Sequence, residues 1–189
     1  KLKKELKPWE SIIVSENLSW SEFLKVNNYL YDLVGVKPVM TISRNYPFSE
    51  TYTHVLGYVS RPNEKEILEN EIVKQRFVPG MKIGKLGLEK TLENQLIGTN
   101  AIQRYEVNAH GKRINQLEYQ KGQQGSKIRL TIDTEVQKLS AQLLSNKAGS
   151  ISVMDIYTGD IIAMHSSPSY NPNLFLFGIS QDEWQLIRN

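Results

Sequence analysis

Serine hydroxyls are the first candidates for covalent chemistry in this chain of 189 residues. A serine activated by lysine needs the amine one helical turn later, as Ser-x-x-Lys, with Ser-x-Asn and Lys-(Ser/Thr)-Gly elsewhere. The amine can then take the hydroxyl proton and make the oxygen a nucleophile. No serine here has lysine three positions on. Ser15-Glu16-Asn17, Ser43-Arg44-Asn45 and Ser169-Tyr170-Asn171 match the second pattern, which is short enough to recur by chance. Lys82-Ile83-Gly84 and Lys85-Leu86-Gly87 lack the central hydroxyl residue. The visible sequence therefore holds no complete serine–lysine acyl-transfer set.

Other chemistries fare no better. With no cysteine there is no thiol nucleophile, disulfide or thiolate metal site. His54, His110 and His165 are far apart, and none has a second ligand at helix-face spacing. Gly80, Gly84 and Lys85 superficially suggest a phosphate loop. Three residues separate the glycines and Leu86 follows the lysine, so the required four-residue spacing and the magnesium-binding hydroxyl are missing. Dinucleotide binding fails as well, because no ribose-binding acid follows a parallel strand. The expectation is no cofactor and no metal. Net charge is +3, and lysines do not interleave with aromatics, which argues against nucleic acid. The basic start, Lys1 to Lys7, reads as a solvated lead-in.

The elements around these residues are those of a globular chain, with 40% hydrophobic and 23% charged residues. Ser19 and Glu22 have capping-box spacing. Trp20, Phe23, Leu24, Leu30 and Leu33 follow on one helix face, with Gly35 as the stop. Val36 to Tyr46 reads extended, between Pro38 and Pro47. His54 to Ser60 is a short buried strand or a turn. Pro62 starts a helix through Glu64 to Lys74, which Val78-Pro79-Gly80 breaks. Leu88, Leu92 and Leu96 share one helix face, ended by Gly98.

Ile102 to Val107 and Ile114 to Tyr119 form a hairpin about Asn108-Ala109-His110-Gly111. Lys121 to Ser126 is a loop and the expected domain boundary. Ile128, Leu130 and Ile132 alternate as a half-buried strand. Asp133 or Thr134 then caps a helix whose core face is Val136, Leu139 and Leu143, ended by Gly149. Ile151 to Ile156 and Asp160 to His165 make a second hairpin around Tyr157-Thr158-Gly159, and Ser166 to Asn173 is a loop. This order predicts an α+β fold with antiparallel pairing.

Four segments together carry a resemblance. Arg44-Asn45-Tyr46-Pro47 followed by His54-Val55-Leu56-Gly57-Tyr58-Val59 resembles the Arg-x-Tyr-Pro … His-Val-x-Gly-Tyr-Val signature of class B penicillin-binding proteins. Gly84-Lys85-Leu86-Gly87-Leu88-Glu89, with Glu93 and Gly98, is similar to that family's Gly-x-x-Gly-Leu-Glu motif. Leu130-Thr131-Ile132-Asp133 with Val136-Gln137 resembles the entry to its transpeptidase domain. Val153-Met154-Asp155, Thr158 to Met164 and Pro168 to Asn173 resemble the first sheet hairpin of that domain and its following loop. The Tyr-Asn-Pro-Asn-Leu-Phe and Gly-Ile-Ser wording is nearest the elongation-specific branch.

The resemblance implies a head and anchor remnant over 1–35, a mixed antiparallel pedestal or dimerisation domain over 36–126, and over 127–189 the first strand, helix and hairpin of a transpeptidase domain. It implies a periplasmic peptidoglycan D,D-transpeptidase of cell elongation, anchored in the inner membrane by a single segment outside this sequence. Its acylated serine would lie beyond Asn189. Partners would be a glycan polymerase and shape-determining regulators, with a homodimer as a further assembly. The alternative is a freestanding extracytoplasmic binding module with no catalytic parent.

Within that resemblance Arg44 and Glu89 are expected to pair, clamping the extended segment to the Leu88 helix. Gly84 and Gly87 permit tight backbone. Tyr46, Pro47, His54, Gly57 and Tyr58 are packing residues, Asp133 is a cap, and Asp155, Thr158 and Gly159 shape the hairpin turn. The Ile151 to His165 hairpin leaves strand edges uncovered, so residues 127–189 are expected to dimerise or lose order in isolation.

Overall fold

The computed structural model describes residues 12–39, 42–78, 80–108 and 113–188. Expectations for Lys1 to Lys7, Pro79, the tip Ala109 to Gly111, and therefore His110, lie outside those residues.

Caps decide where the helices begin. The Ser19–Glu22 capping box opens α1 (Trp20–Asn28), with the Ser19 amide 2.8 Å from the Glu22 carboxylate. Such caps contribute about 1 kcal/mol. The helix stops at Tyr29 instead of running on to Leu33, and it buries none of its residues. Periodicity marks an apolar face but does not supply something to cover it, and Trp20 remains 68% exposed.

Next come a 3-10 turn (Ser49–Thr51) and α2 (Thr53–Leu56). Thus His54 to Leu56 is helical, and only Val59–Ser60 is a strand, β1. Asn63, not Pro62, caps α3 (Glu64–Glu69), through a second box with Glu66. The expected single helix then breaks at Asn70. Its side chain accepts from the Ile72 and Val73 amides and starts α4 (Glu71–Arg76). Asparagine is suited to this, because its short side chain competes for backbone groups.

The strand β2 (Ile83–Gly84) pairs antiparallel with β1, Val59 opposite Gly84. The Leu88–Leu96 helix is also two pieces, α5 (Gly87–Thr91) and α6 (Glu93–Leu96), divided at Leu92 where φ is −104° and ψ is 15°. The first hairpin is present as β3 (Ile102–Val107) and β4 (Arg113–Gln120).

Ile128 to Ile132 does not join a sheet. It is tied instead by the Thr131 hydroxyl to the Ile161 carbonyl, 2.7 Å, and by the Asp133 amide to the Ile162 carbonyl, 2.8 Å. Asp133 caps α7 (Thr134–Leu143), accepting from the Glu135 and Val136 amides. The buried face of α7 is Gln137 and Ser140, not the expected Leu139 and Leu143, which are 53% and 57% exposed. The helix ends at Leu144; Gly149 opens β5 (Gly149–Met154), which pairs with β6 (Ile161–Ser167). A 3-10 turn (Pro172–Phe175) and α8 (Gln181–Arg188) follow.

The class is α+β. The described strands form three separate antiparallel pairs, with helices between them. A buried cluster of Tyr46, Val59 and Leu176, with Leu56 against it, joins the chain's first half to its last quarter.

Candidate functional site

That cluster is the floor of a clasp built by residues 44–58. Arg44 lies on the approach to the Tyr46 turn, and Glu89 sits in the first turn of α5, where a carboxylate also favours the helix dipole. The Arg44 Nε is 3.0 Å from Glu89 Oε1 and its Nη2 donates to Oε2 at 3.1 Å, a two-point pair. The Glu89 side chain is nearly buried, whereas Arg44 keeps 40% exposure, which screens the pair.

Tyr46 adds a third donor. Its hydroxyl donates to Glu89 Oε1 at 3.2 Å and accepts the Val59 amide at 3.2 Å. Burial, and then the charge and hydrogen bond of Glu89, drive the phenol far above the ordinary tyrosine value, so it stays protonated and able to donate. The carboxylate thereby joins the Arg44 segment, α5 and the start of β1.

The Tyr46 main chain faces the other way. The Asn173 side chain accepts the Tyr46 amide at 3.0 Å and donates to the Tyr46 carbonyl at 3.0 Å. Asn173 is held by the Asx turn of Asn171 at the 3-10 helix start. Pro47 lies in the exposed turn just after this clasp.

Alongside, the α2 region grips β6 and the loop beyond it. Gln137 is fully buried; its Nε2 donates to the Thr51 and Met164 carbonyls, 2.8 Å each, and its Oε1 accepts the Met164 amide at 2.8 Å. Tyr52 donates to Thr134 Oγ1 and Thr53 to the Tyr170 carbonyl. The His165 Nδ1 lies 3.1 Å from the Thr51 carbonyl. His54 Nε2 meets the Pro168 carbonyl at 3.0 Å, while Tyr58 stacks on Phe175 with ring centroids 4.1 Å apart.

Three motif glycines allow the backbones to touch. Gly57 has φ +74° and Gly87 φ +58°, and they lie back to back: a Cβ on Gly87 would fall 2.7 Å from the Gly57 nitrogen. A Cβ on Gly84 would collide with the Glu89 main chain. Leu88 is half-buried beside them. The Gly84 amide donates to Glu93 at 2.7 Å. Burial raises the Glu93 pKa, opposed by that amide and reinforced by the neighbouring Glu89 charge.

Arg44, Tyr46, His54, Gly57, Tyr58, Gly84, Gly87 and Glu89 thus converge on one junction. Asp133 is a cap at its edge. Asp155, Thr158 and Gly159 do not reach it; they close the β5–β6 turn, where Asp155 accepts the Tyr157 and Thr158 amides and Gly159 has φ +78°. Sequence reasoning assigned no role to Asn173, Gln137, Tyr170, Phe175 or His165. An amide that can both donate and accept is the only local signal the first two give. Among the described residues no cluster of three His, Cys, Asp or Glu could hold a metal, and no helix is long and apolar enough to cross a membrane. The arrangement fastens separated stretches of main chain to one another.

Residues 1–130 match the model of the penicillin-binding protein dimerisation domain. Among curated proteins, the chain is 33% identical to the peptidoglycan D,D-transpeptidase MrdA of Acinetobacter baumannii, over 98% of this chain and 27% of that protein. With MrdA of Escherichia coli K12 identity is 37%, over 95% of this chain and 29% of the relative. The chain therefore spans less than a third of the length of these relatives. Among solved structures, Helicobacter pylori PBP2, in complex with MreC, superposes with a TM-score of 0.80 at 28% identity, over 99% of this chain and 35% of that one. Pseudomonas aeruginosa PBP2, in complex with WCK 5153, gives 0.64 at 31%, over 81% of this chain and 30% of that one. The motifs, the α+β architecture and these likenesses agree, and the chain belongs to the penicillin-binding protein dimerisation-domain family, with relatives of the PBP2 type.

Proposed function

We propose that this chain is the non-catalytic pedestal, with the opening of the catalytic domain, of a peptidoglycan D,D-transpeptidase that works in cell elongation at the periplasmic face of the inner membrane. In this reading residues 36–126 are the pedestal, 127–189 begin the transpeptidase domain, and residues before 36 belong to a head and anchor region. The carrying observation is the clasp of Asn173 on the Tyr46 main chain, which fastens the first of these units to the second.

A transpeptidase acts on two peptide stems and must hold its acyl-serine site in fixed relation to both. A clasp that meets both main-chain polar groups of Tyr46 and both oxygens of Glu89 suits that task better than a flexible tether. The motif residues then act as positioning residues for chemistry performed downstream by a serine with its lysine. The complex of Helicobacter pylori PBP2 with MreC supports a shape-determining regulator as partner. A glycan polymerase and a homodimer are the other partners of this reading.

Fluorescent penicillin tests it. The chain should show no covalent label, and the longer gene product should label once. Labelling of the 189-residue chain near one per molecule would make it a self-sufficient acyl-enzyme. Absence of label from the longer product would favour a freestanding binding module.

A further inference from the structure

Outside the clasp, one group of charges is left incomplete. Residues 13–16 cross the Gly80–Lys82 stretch closely enough that a Cβ on Gly80 would fall 2.8 Å from the Ile13 methyl. There Glu16 Oε1 pairs with the Arg61 guanidinium at 2.9 Å. The other oxygen, Glu16 Oε2, is buried and has no hydrogen-bond partner. An unpaired buried carboxylate oxygen is costly, so it calls for a donor.

Lys82, two residues from Gly80 on the same stretch, turns its ammonium to a ring and a hydroxyl. Lys82 Nζ lies 3.8 Å from the centroid of the Phe177 ring and 3.3 Å from the Ser43 hydroxyl. Burial lowers the Lys82 pKa; the Glu16 charge opposes that shift and Arg61 adds to it. The ammonium thus lies within electrostatic reach of both Glu16 and Arg61 while resting on a ring face.

We infer that Lys82 is a two-position latch: its ammonium lies either on the Phe177 face or on Glu16 Oε2, so that the placement of residues 13–16 is read at the turn carrying Phe177. Arg61 sets the balance by occupying the other Glu16 oxygen. With Arg61 in place, half the carboxylate charge is answered and Lys82 stays on Phe177. When residues 13–16 shift so that Arg61 lets go, the carboxylate draws Lys82 across and Phe177 loses its cation. Phe177 follows Phe175 and Leu176, which pack against Tyr58 and the central cluster, so the signal arrives beside the clasp. The device rests on this packing and not on the transpeptidase reading.

The test is the NMR ring-current shift of the Lys82 ε-methylene protons in the 189-residue chain. The wild type should show them upfield of ordinary lysine, and Phe177→Leu should abolish the displacement. Glu16→Gln removes the competing charge and should increase it. Arg61→Met leaves Glu16 unanswered and should collapse it toward the free-lysine position. Opposite signs for the last two variants are a result that simple loosening of the surface cannot produce. All four side chains lie at or near the surface, and amide spectra report whether each variant keeps its fold. Unshifted wild-type protons, or movement of both charge variants in one direction or in neither, overturns the latch.

Discussion

Asn173 and Tyr46 are 127 positions apart, yet the side-chain amide of the first is paired with both main-chain polar groups of the second, 3.0 Å each way. The pairing resembles one rung of a β-ladder, with a side chain standing in for the neighbouring strand. It leaves neither the Tyr46 amide nor its carbonyl to be satisfied by water in a position where the residue itself is buried.

Replacing Asn173 with alanine strands the Tyr46 amide, while the Tyr46 carbonyl keeps the Ser49 amide at 3.0 Å. We expect Asn173→Ala to lose about 1–3 kcal/mol in urea unfolding, from one buried amide left without an acceptor. Asn173→Asp keeps the acceptor and loses the donor, and should fall between alanine and wild type. A loss under about 0.5 kcal/mol for alanine, the size of an ordinary surface change, would mean that the clasp contributes nothing.

Gly57 and Gly159, two of the positive-φ glycines, differ in what stands beside them. Both have positive φ, but a Cβ on Gly57 meets the Leu86 carbonyl, while one on Gly159 meets nothing within 4 Å. Gly159→Ala should therefore cost only the left-handed penalty, about 1–2 kcal/mol. Gly57→Ala should cost more, because its backbone at φ +74° and ψ −150° is a glycine-only conformation and the two main chains would be overpacked by about 1–3 kcal/mol besides. Equal losses by chemical denaturation would contradict the contact.

Glu93 sets the direction of one pH dependence. Its folded pKa lies above the ordinary glutamate value, chiefly from burial. In the window between the unfolded and folded values the native state holds the proton more tightly. Stability from this group is then greatest at low pH and falls as pH rises through the folded pKa. Glu93→Gln keeps an acceptor for the Gly84 amide and removes the buried charge. It should flatten that part of the stability–pH curve and leave stability at pH 7 equal or higher. A variant less stable at pH 7 with an unchanged slope would reject burial as the cause.

What could be read from the sequence follows from how local each signal is. The Ser19–Glu22 box and the Asp133 cap lie within one turn, and both are present. Arg44 and Glu89 could be paired in advance because each stands in a segment that carries the family resemblance; charge alone leaves Arg44 a choice of 20 acidic residues. Gln137 and Asn173 could not, since a neutral amide can bond any backbone group and theirs lie far off in sequence. Leu139 and Leu143 show the limit of periodicity: spacing groups residues on one face, but the neighbour that buries a face is fixed by the tertiary fold. The helix break at Asn70 is local, made by a side chain that caps the following helix, and a 3.6-residue pattern does not register it.

The account turns on whether residues 44–58 act as one joint between the two halves of the chain. Amide hydrogen exchange in Asn173→Ala tests this directly. Protection should fall together around Tyr46, in Val55 to Val59 and in Asn173 to Leu176, while the β3–β4 hairpin keeps its wild-type rates. Loss confined to the immediate neighbours of residue 173, or spread evenly into that hairpin, would contradict it.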